Sequence, residues 1–246
     1  GMPREMVPVA GGKQGEQKIS VQQPQFSPTG ELFYISDEGG SWNLYREQSS
    51  QGVCPRQAEF GGPHWVFGMH HYEFLDSSKI ICCYSEKNLD RLALLDLDSG
   101  NLEDLDLPYT SIGNLSLSDN RLLTVVSSPK LFPEIIEIAL STKTIRTIQT
   151  STDLELEESY FSVPETIAFP TAGNAVSHGF YYPPTNKDFQ GLDGEAPPLI
   201  VMLHGGPTSA THAVLSFKTQ YWTTRGFGVL DLNYRGSTGY GRAYRD

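Results

Sequence analysis

The chain has 246 residues, 38% of them hydrophobic and 11% aromatic, with 24 glycines and 16 prolines scattered along its length. That composition suits one large domain or two smaller ones made of many short strands and turns, and it argues against disorder. A net charge of −11 repels phosphate backbones and excludes nucleic-acid binding, and no window approaches the ~20 apolar residues of a membrane span. The three cysteines, Cys54, Cys82 and Cys83, are odd in number and two are adjacent, so a disulfide framework is not expected and a reducing compartment is. Gly1 to Gly12 carries no signal-peptide core, which makes the expected location cytoplasmic, and Gly1 before Met2 reads as a residue left by tag removal.

The first half reads as repeated β-units. Gln25 and Phe26 lead into the turn Ser27-Pro28-Thr29-Gly30, in which Pro28 fixes φ and Gly30 supplies a positive one. Glu31 to Ser36 alternates as a strand, with Leu32, Tyr34 and Ser36 on one face and Phe33 and Ile35 on the other. The chain turns at Asp37-Glu38-Gly39-Gly40 and returns through Trp42 to Arg46. A second unit runs from His70 to Phe74, turns at Leu75 to Ser78, and continues through the strands Lys79 to Tyr84 and Arg91 to Asp96. A third runs from Asn114 to Leu117, turns at Ser118-Asp119-Asn120, and continues through Arg121 to Ser127 and Glu134 to Leu140. Equivalent turns end at Gly30, Ser78 and Asn120, 48 and 42 residues apart. Four short strands per ~40–50 residues is the period of a β-propeller blade. An irregular β-sandwich has similar strand spacing, but three repeats favour the propeller.

The acidic run Asp153, Glu155, Glu157 and Glu158 reads as a solvated linker, and beyond it the texture changes. Val163 to Phe169 and Asn174 to Tyr182 are longer strands. Pro198 to Leu203 is an apolar run of the kind buried on both faces of a parallel sheet. Val214, Phe217, Tyr221 and Trp222 fall on one face of a helix, Gly226 caps it, and Phe227 to Leu232 is the next buried strand. A strand–helix–strand unit differs in kind from what precedes it. The expected domains are therefore 1–157, part of a propeller of about three blades, and 158–246, the N-terminal part of an α/β-hydrolase domain.

Two loops carry the chemistry. His204-Gly205-Gly206-Pro207 follows the first buried strand, where an α/β-hydrolase places one backbone N–H of its oxyanion hole. A developing alkoxide needs a main-chain donor at about 3 Å, and a side chain there would block its approach. Pro207 stiffens the exit of the loop. A plain Gly-Pro turn is the competing reading of these four residues alone. Asn233-Tyr234-Arg235-Gly236-Ser237-Thr238-Gly239-Tyr240-Gly241 follows the next strand. The two loops in this order, with the helix and strand between them, resemble the prolyl oligopeptidase family of serine peptidases, closest to its acylaminoacyl-peptidase and dipeptidyl-peptidase-like branch. Phe26-Ser27-Pro28 with Gly30, Ser36-Asp37, Asn43-Leu44-Tyr45, Trp65 to Gly68, and Phe74-Leu75 resemble the propeller of that branch, so the likeness runs from about residue 20 onward.

The resemblance implies a propeller preceding a hydrolase domain and hydrolysis of short peptides by acyl transfer. It gives the oxyanion N–H to Gly206, makes His204, Gly205 and Pro207 the residues that shape the loop, and sets Asn233, Tyr234 and Arg235 at the border of the active site. His204 is not the catalytic histidine, because the triad of this fold follows in the order serine, acid, histidine. No serine here has glycine two positions away on both sides. Ser177, in Ala175-Val176-Ser177-His178-Gly179, is a strand residue, and Ser237 lacks the spacing. The triad is therefore expected beyond Asp246, and the chain alone is expected to be inactive. Neither a metal nor a cofactor is expected. His64, His70 and His71 with Cys54 or Cys82 lack metal-ligand spacing, and Gly236 to Gly241 lacks the lysine of a phosphate loop. The expected partner is a short peptide, with self-association through unpaired strand edges or as a homo-oligomer. An esterase or lipase shares the acyl-transfer chemistry, and a non-catalytic propeller that binds peptides is the third possibility.

Overall fold

The computed structural model describes residues 7–246 apart from 16, 48, 64, 65 and 207. Trp65 of the propeller-like motif, His64, which lacks metal-ligand spacing, and Pro207 of the His204-to-Pro207 motif lie outside the described residues. The fold is mostly β-sheet with few helices. A short hairpin, β1 (Gly12–Gln14) and β2 (Gln17–Ile19), comes first. Three antiparallel sheets of sequential strands follow. The first holds β3 (Val21–Phe26), β4 (Leu32–Ser36) and β5 (Asn43–Arg46). The second holds β6 (Tyr72–Phe74), β7 (Lys79–Glu86), β8 (Leu89–Asp96) and β9 (Leu102–Asp104). The third holds β10 (Ser111–Ser118), β11 (Arg121–Ser128), β12 (Leu131–Ala139) and β13 (Thr144–Thr150).

Turn chemistry fixes the hairpins. Asp119 and Asn120 between β10 and β11, and Lys87 and Asn88 between β7 and β8, all take positive φ. Two central residues with positive φ give the turn whose twist matches the flanking strands, and asparagine and aspartate accept that conformation at little cost. The sheets then stack through their faces. Strand β7 is buried on both sides, and its successive side chains serve different cores. Ile80, Cys82 and Tyr84 pack with Phe33, Ile35 and Trp42 of the first sheet region. Ile81 and Cys83 pack with Ile112, Leu122 and Ile136 of the third sheet. A period of two in the backbone thus turns an uninterrupted apolar run into a wall between two cores. The three thiols are buried and unpaired, and burial pushes those of Cys82 and Cys83 upward.

The remaining strands form a mixed sheet in the order β14 (Glu165–Pro170), β15 (Val176–Tyr182), β17 (Gly228–Asn233), β16 (Leu199–Leu203). Strands β16 and β17 pair in parallel, and β15 joins them antiparallel. Helix α1 (Phe217–Thr223) lies between β16 and β17 in the chain, and α2 (Arg242–Arg245) closes the described residues. Residues 153 to 159, which hold the acidic run, are exposed and carry the chain from the third sheet to the fourth.

Phe33, Tyr34, Ile35 and Ser36 of β4 are all buried, so both faces of this strand are covered. Two sequence expectations are corrected. Strand β16 is not buried on both faces. It is the edge of its sheet, and Leu199, Val201 and Leu203 are each more than half exposed. The apolar positions read on one face of α1 do not all meet the core: only Trp222 packs against a buried cluster. Val214 precedes the helix, Phe217 and Tyr221 are exposed, and the buried residues are Thr219, Gln220 and Thr223. Hydrogen bonds make that polar burial possible. The Gln220 side chain accepts from the Ser162 N–H at 2.8 Å and donates to the Ser162 carbonyl at 3.1 Å. A satisfied amide can go inside where an unsatisfied one cannot.

Candidate active site

Leu203 and Leu232 are register partners in the parallel pair β16–β17. The residues after each strand therefore emerge at the same end of the sheet, His204-Gly205-Gly206 from one and Asn233-Tyr234-Arg235 from the other. Open α/β sheets bind ligands at the carboxyl ends of such strands. The Tyr234 ring stacks on the His204 imidazole, with centroids 4.4 Å apart and planes 15° from parallel. Its hydroxyl lies 3.1 Å from the His204 carbonyl and 3.3 Å from the Gly206 carbonyl. On the other side of the imidazole, Ser237 Oγ is 2.7 Å from Nε2. Sequence reasoning rejects Ser237 as a nucleophile and assigns it no other role.

Gly206 has φ +76°, is exposed, and would leave a Cβ with no atom within 4 Å. Its amide N–H donates no hydrogen bond among the described residues. An exposed, unpaired N–H on a loop held from two sides can donate to an incoming anion or polarised carbonyl. The three border residues differ in what they do. Tyr234 touches the glycine loop. Asn233 is fully buried: its Oδ1 accepts from the Thr211 N–H at 2.8 Å and its Nδ2 donates to the Thr211 carbonyl at 3.2 Å. Asn233 therefore supports the stretch after the glycines from beneath. Arg235 is exposed and points along the surface to the Ala243 carbonyl at 3.5 Å.

Ser177 is a buried residue of β15. The His178 ring stacks on Tyr240 at 4.2 Å, and burial, helped by Lys87, holds its imidazole below the usual histidine range. Among the described residues no three histidine, cysteine or acidic side chains converge as a metal site would require, and no helix is long and apolar enough to cross a membrane.

No protein-family model matches the chain. Solved structures do. A puromycin hydrolase is 36% identical, with a TM-score of 0.84 over 93% of this chain and 35% of its own. A puromycin-hydrolyzing peptidase of Mycobacterium tuberculosis is 32% identical, with a TM-score of 0.88 over 93% of this chain and 36% of its own. The uncharacterized peptidase YuxL of Bacillus subtilis is 26% identical over 141 residues, which is 57% of this chain and 20% of YuxL. The chain's relatives are prolyl oligopeptidase-family peptidases. The β-rich part matches the propeller part of such peptidases, and the chain spans about a third of the length of these solved relatives.

Nothing in the sequence motifs signals how the last residues dock. Residues 237–246 fold back onto the first two antiparallel sheets. The carboxylate of Asp37, 1% exposed, accepts from Arg242 Nε at 3.2 Å and from Arg245 Nη2 at 2.7 Å, and a second Arg242 nitrogen also reaches it. It also accepts the Ser20 N–H at 2.7 Å. Buried Glu59 accepts the Trp42 N–H at 2.7 Å and the Gly241 N–H at 2.8 Å. The Arg245 guanidinium lies over the Trp42 ring at 4.6 Å, and Asn88 donates to the Thr238 carbonyl at 3.2 Å. Gly239 is required beside Asn88, because a Cβ there would collide with the Asn88 side-chain amide.

Glu59 makes this contact pH-dependent. Burial pushes its carboxyl above the usual range. The two backbone N–H groups and Arg245 pull the other way and do not cancel the shift. A raised pKa means the folded state keeps the proton more tightly than the unfolded one. The associated stability is complete below the ordinary glutamate value of about 4.3 and is lost as pH rises through the raised value. Glu59→Gln is expected to lower stability at every pH, since one N–H loses its acceptor, and to flatten the decline above about pH 4.5. Urea unfolding of both proteins across about pH 4–7 measures this, and parallel profiles would rule it out.

Proposed function

We propose that the chain is part of a serine peptidase, in which the three antiparallel sheets are consecutive propeller blades and residues 158–246 begin the α/β-hydrolase domain. The observation that carries this reading is exposed Gly206, whose N–H has no partner among the described residues, at the carboxyl end of a parallel strand pair. In the proposed reaction a serine outside these 246 residues attacks the scissile carbonyl of a short peptide, a histidine moves the proton, and the Gly206 N–H stabilises the tetrahedral oxyanion. His204 and Gly205 shape that loop. Tyr234 holds its carbonyls, Asn233 supports it from beneath, and Arg235 lies exposed at the border of the site. The bare edge of β16 is where further strands of the same sheet would pair, and in the isolated chain it is the place for self-association.

The test is hydrolysis by the whole protein and by residues 1–246, using aminoacyl-nitroanilides, the matching esters, and puromycin, which two of the structural neighbours hydrolyse by name. The expected result is inhibitor-sensitive amide hydrolysis by the whole protein and none by residues 1–246. Turnover of esters alone would replace the peptidase by an esterase, and turnover by residues 1–246 would refute the placement of the nucleophile.

A further inference from the structure

We propose that Ser237 is a positioning residue: its hydroxyl sets the tautomer of His204, and the imidazole in turn fixes the direction of the Gly206 N–H. This rests on the oxyanion reading above. His204 Nδ1 lies 3.3 Å from the Gly205 carbonyl oxygen and 3.4 Å from the Tyr234 hydroxyl. A carbonyl oxygen only accepts, so the contact is attractive only when Nδ1 carries the proton. The single hydroxyl proton of Tyr234 is engaged by the carbonyls of His204 and Gly206, so toward Nδ1 that oxygen is an acceptor too. Both neighbours therefore require Nδ1–H.

A neutral imidazole protonated at Nδ1 has a bare Nε2, and which nitrogen holds the proton is decided by the partner of the other. That partner is Ser237 Oγ, 2.7 Å away, and in the proposed arrangement its hydroxyl donates to the bare Nε2. The serine is fully buried, so the pair is not an accessible nucleophile with its base. The Gly205 carbonyl and the Gly206 N–H are the two ends of one planar peptide unit and point in opposite directions. Holding the oxygen inward on Nδ1–H aims the N–H outward, where it has no partner among the described residues. Without the serine hydroxyl, the Nε2–H form turns a lone pair toward the Gly205 oxygen, and the peptide is released.

The experiment uses the 246-residue chain with 15N-labelled histidine. Long-range proton–nitrogen correlations at about pH 8.5, above the ordinary histidine range, report which ring nitrogen is protonated. His204→Gln identifies the signal. The expected result is Nδ1–H in the unaltered chain, Nε2–H or a mixture in Ser237→Ala, and Nδ1–H retained in Tyr234→Phe, whose hydroxyl is not the donor. Nε2–H in the unaltered chain would overturn the proposal even if Ser237→Ala failed to fold. So would an unchanged tautomer in a Ser237→Ala chain that keeps a dispersed spectrum. No substrate is involved, so this result can fail while the peptidase assay succeeds, and the reverse.

Discussion

Replacing Asp37 by alanine is expected to lower the unfolding free energy by about 3–5 kcal/mol, because it strips the shared counter-ion from two arginines held in the interior. The side chains of Arg242 and Arg245 are only 14% and 11% exposed, so water cannot take over from the carboxylate. The Ser20 N–H loses its acceptor in the same step. An exposed pair gives the contrast. Lys143 and Glu103 are 60% and 61% exposed, and Lys143→Ala is expected to change stability by no more than about 1 kcal/mol. Urea midpoints measure both, and tryptic cleavage after Arg242 and Arg245 shows whether the terminal segment has come loose. A loss below about 1 kcal/mol with unchanged cleavage would mean that Asp37 does not hold the segment.

The second large effect is on activity. Gly206→Ala in the whole protein is expected to reduce kcat by about 10²–10³-fold with KM little changed, the cost of losing one oxyanion donor in acyl-transfer enzymes. The cause is conformational. At φ +76° a Cβ is strained whatever the space around it, so the peptide must rotate and carry the N–H off its line. There is no collision to relieve, and the same substitution in the isolated chain should cost no more than about 2 kcal/mol of stability. Steady-state kinetics with an aminoacyl-nitroanilide provide the measure. An unchanged kcat would remove Gly206 from the proposed oxyanion hole.

The parts of the fold that were legible in the sequence are those set by neighbours in the chain. Turns such as Asp76-Ser77-Ser78 and Ser118-Asp119-Asn120 sit where backbone conformation and side-chain hydrogen bonds place them, and the strands between them follow. The position of β16 was not legible, because an apolar run reads alike in a central strand and at an edge, and only the pairing of other strands decides between them. In α1 Phe217 and Tyr221 suggest the wrong face, and only Trp222 meets the core. Gln220 is buried by virtue of Ser162, 58 residues away, and the spacing of apolar residues along a helix carries no trace of such a partner. Within the site, the glycine loop and Tyr234 were legible from their motifs. Ser237 was not, since its link to His204 depends on how two strand ends lie side by side. Asp37 and Arg242 are 205 positions apart, and nothing local marks either as the partner of the other.

That separation also has a meaning in time. During synthesis Asp37 and Glu59 leave the ribosome well before the two arginines and Gly241. At about 5–20 residues per second, 205 residues amount to roughly 10–40 s. For that interval the first two sheets carry two carboxylates at a site that has neither its cations nor the N–H of Gly241. Nascent sheets cannot bury such charges cheaply, so the surface awaiting residues 237–246 stays wetted until they arrive. A wetted acidic face resists collapse onto other apolar chains, and the same carboxylates that later hold residues 237–246 keep the nascent sheets from sticking until then.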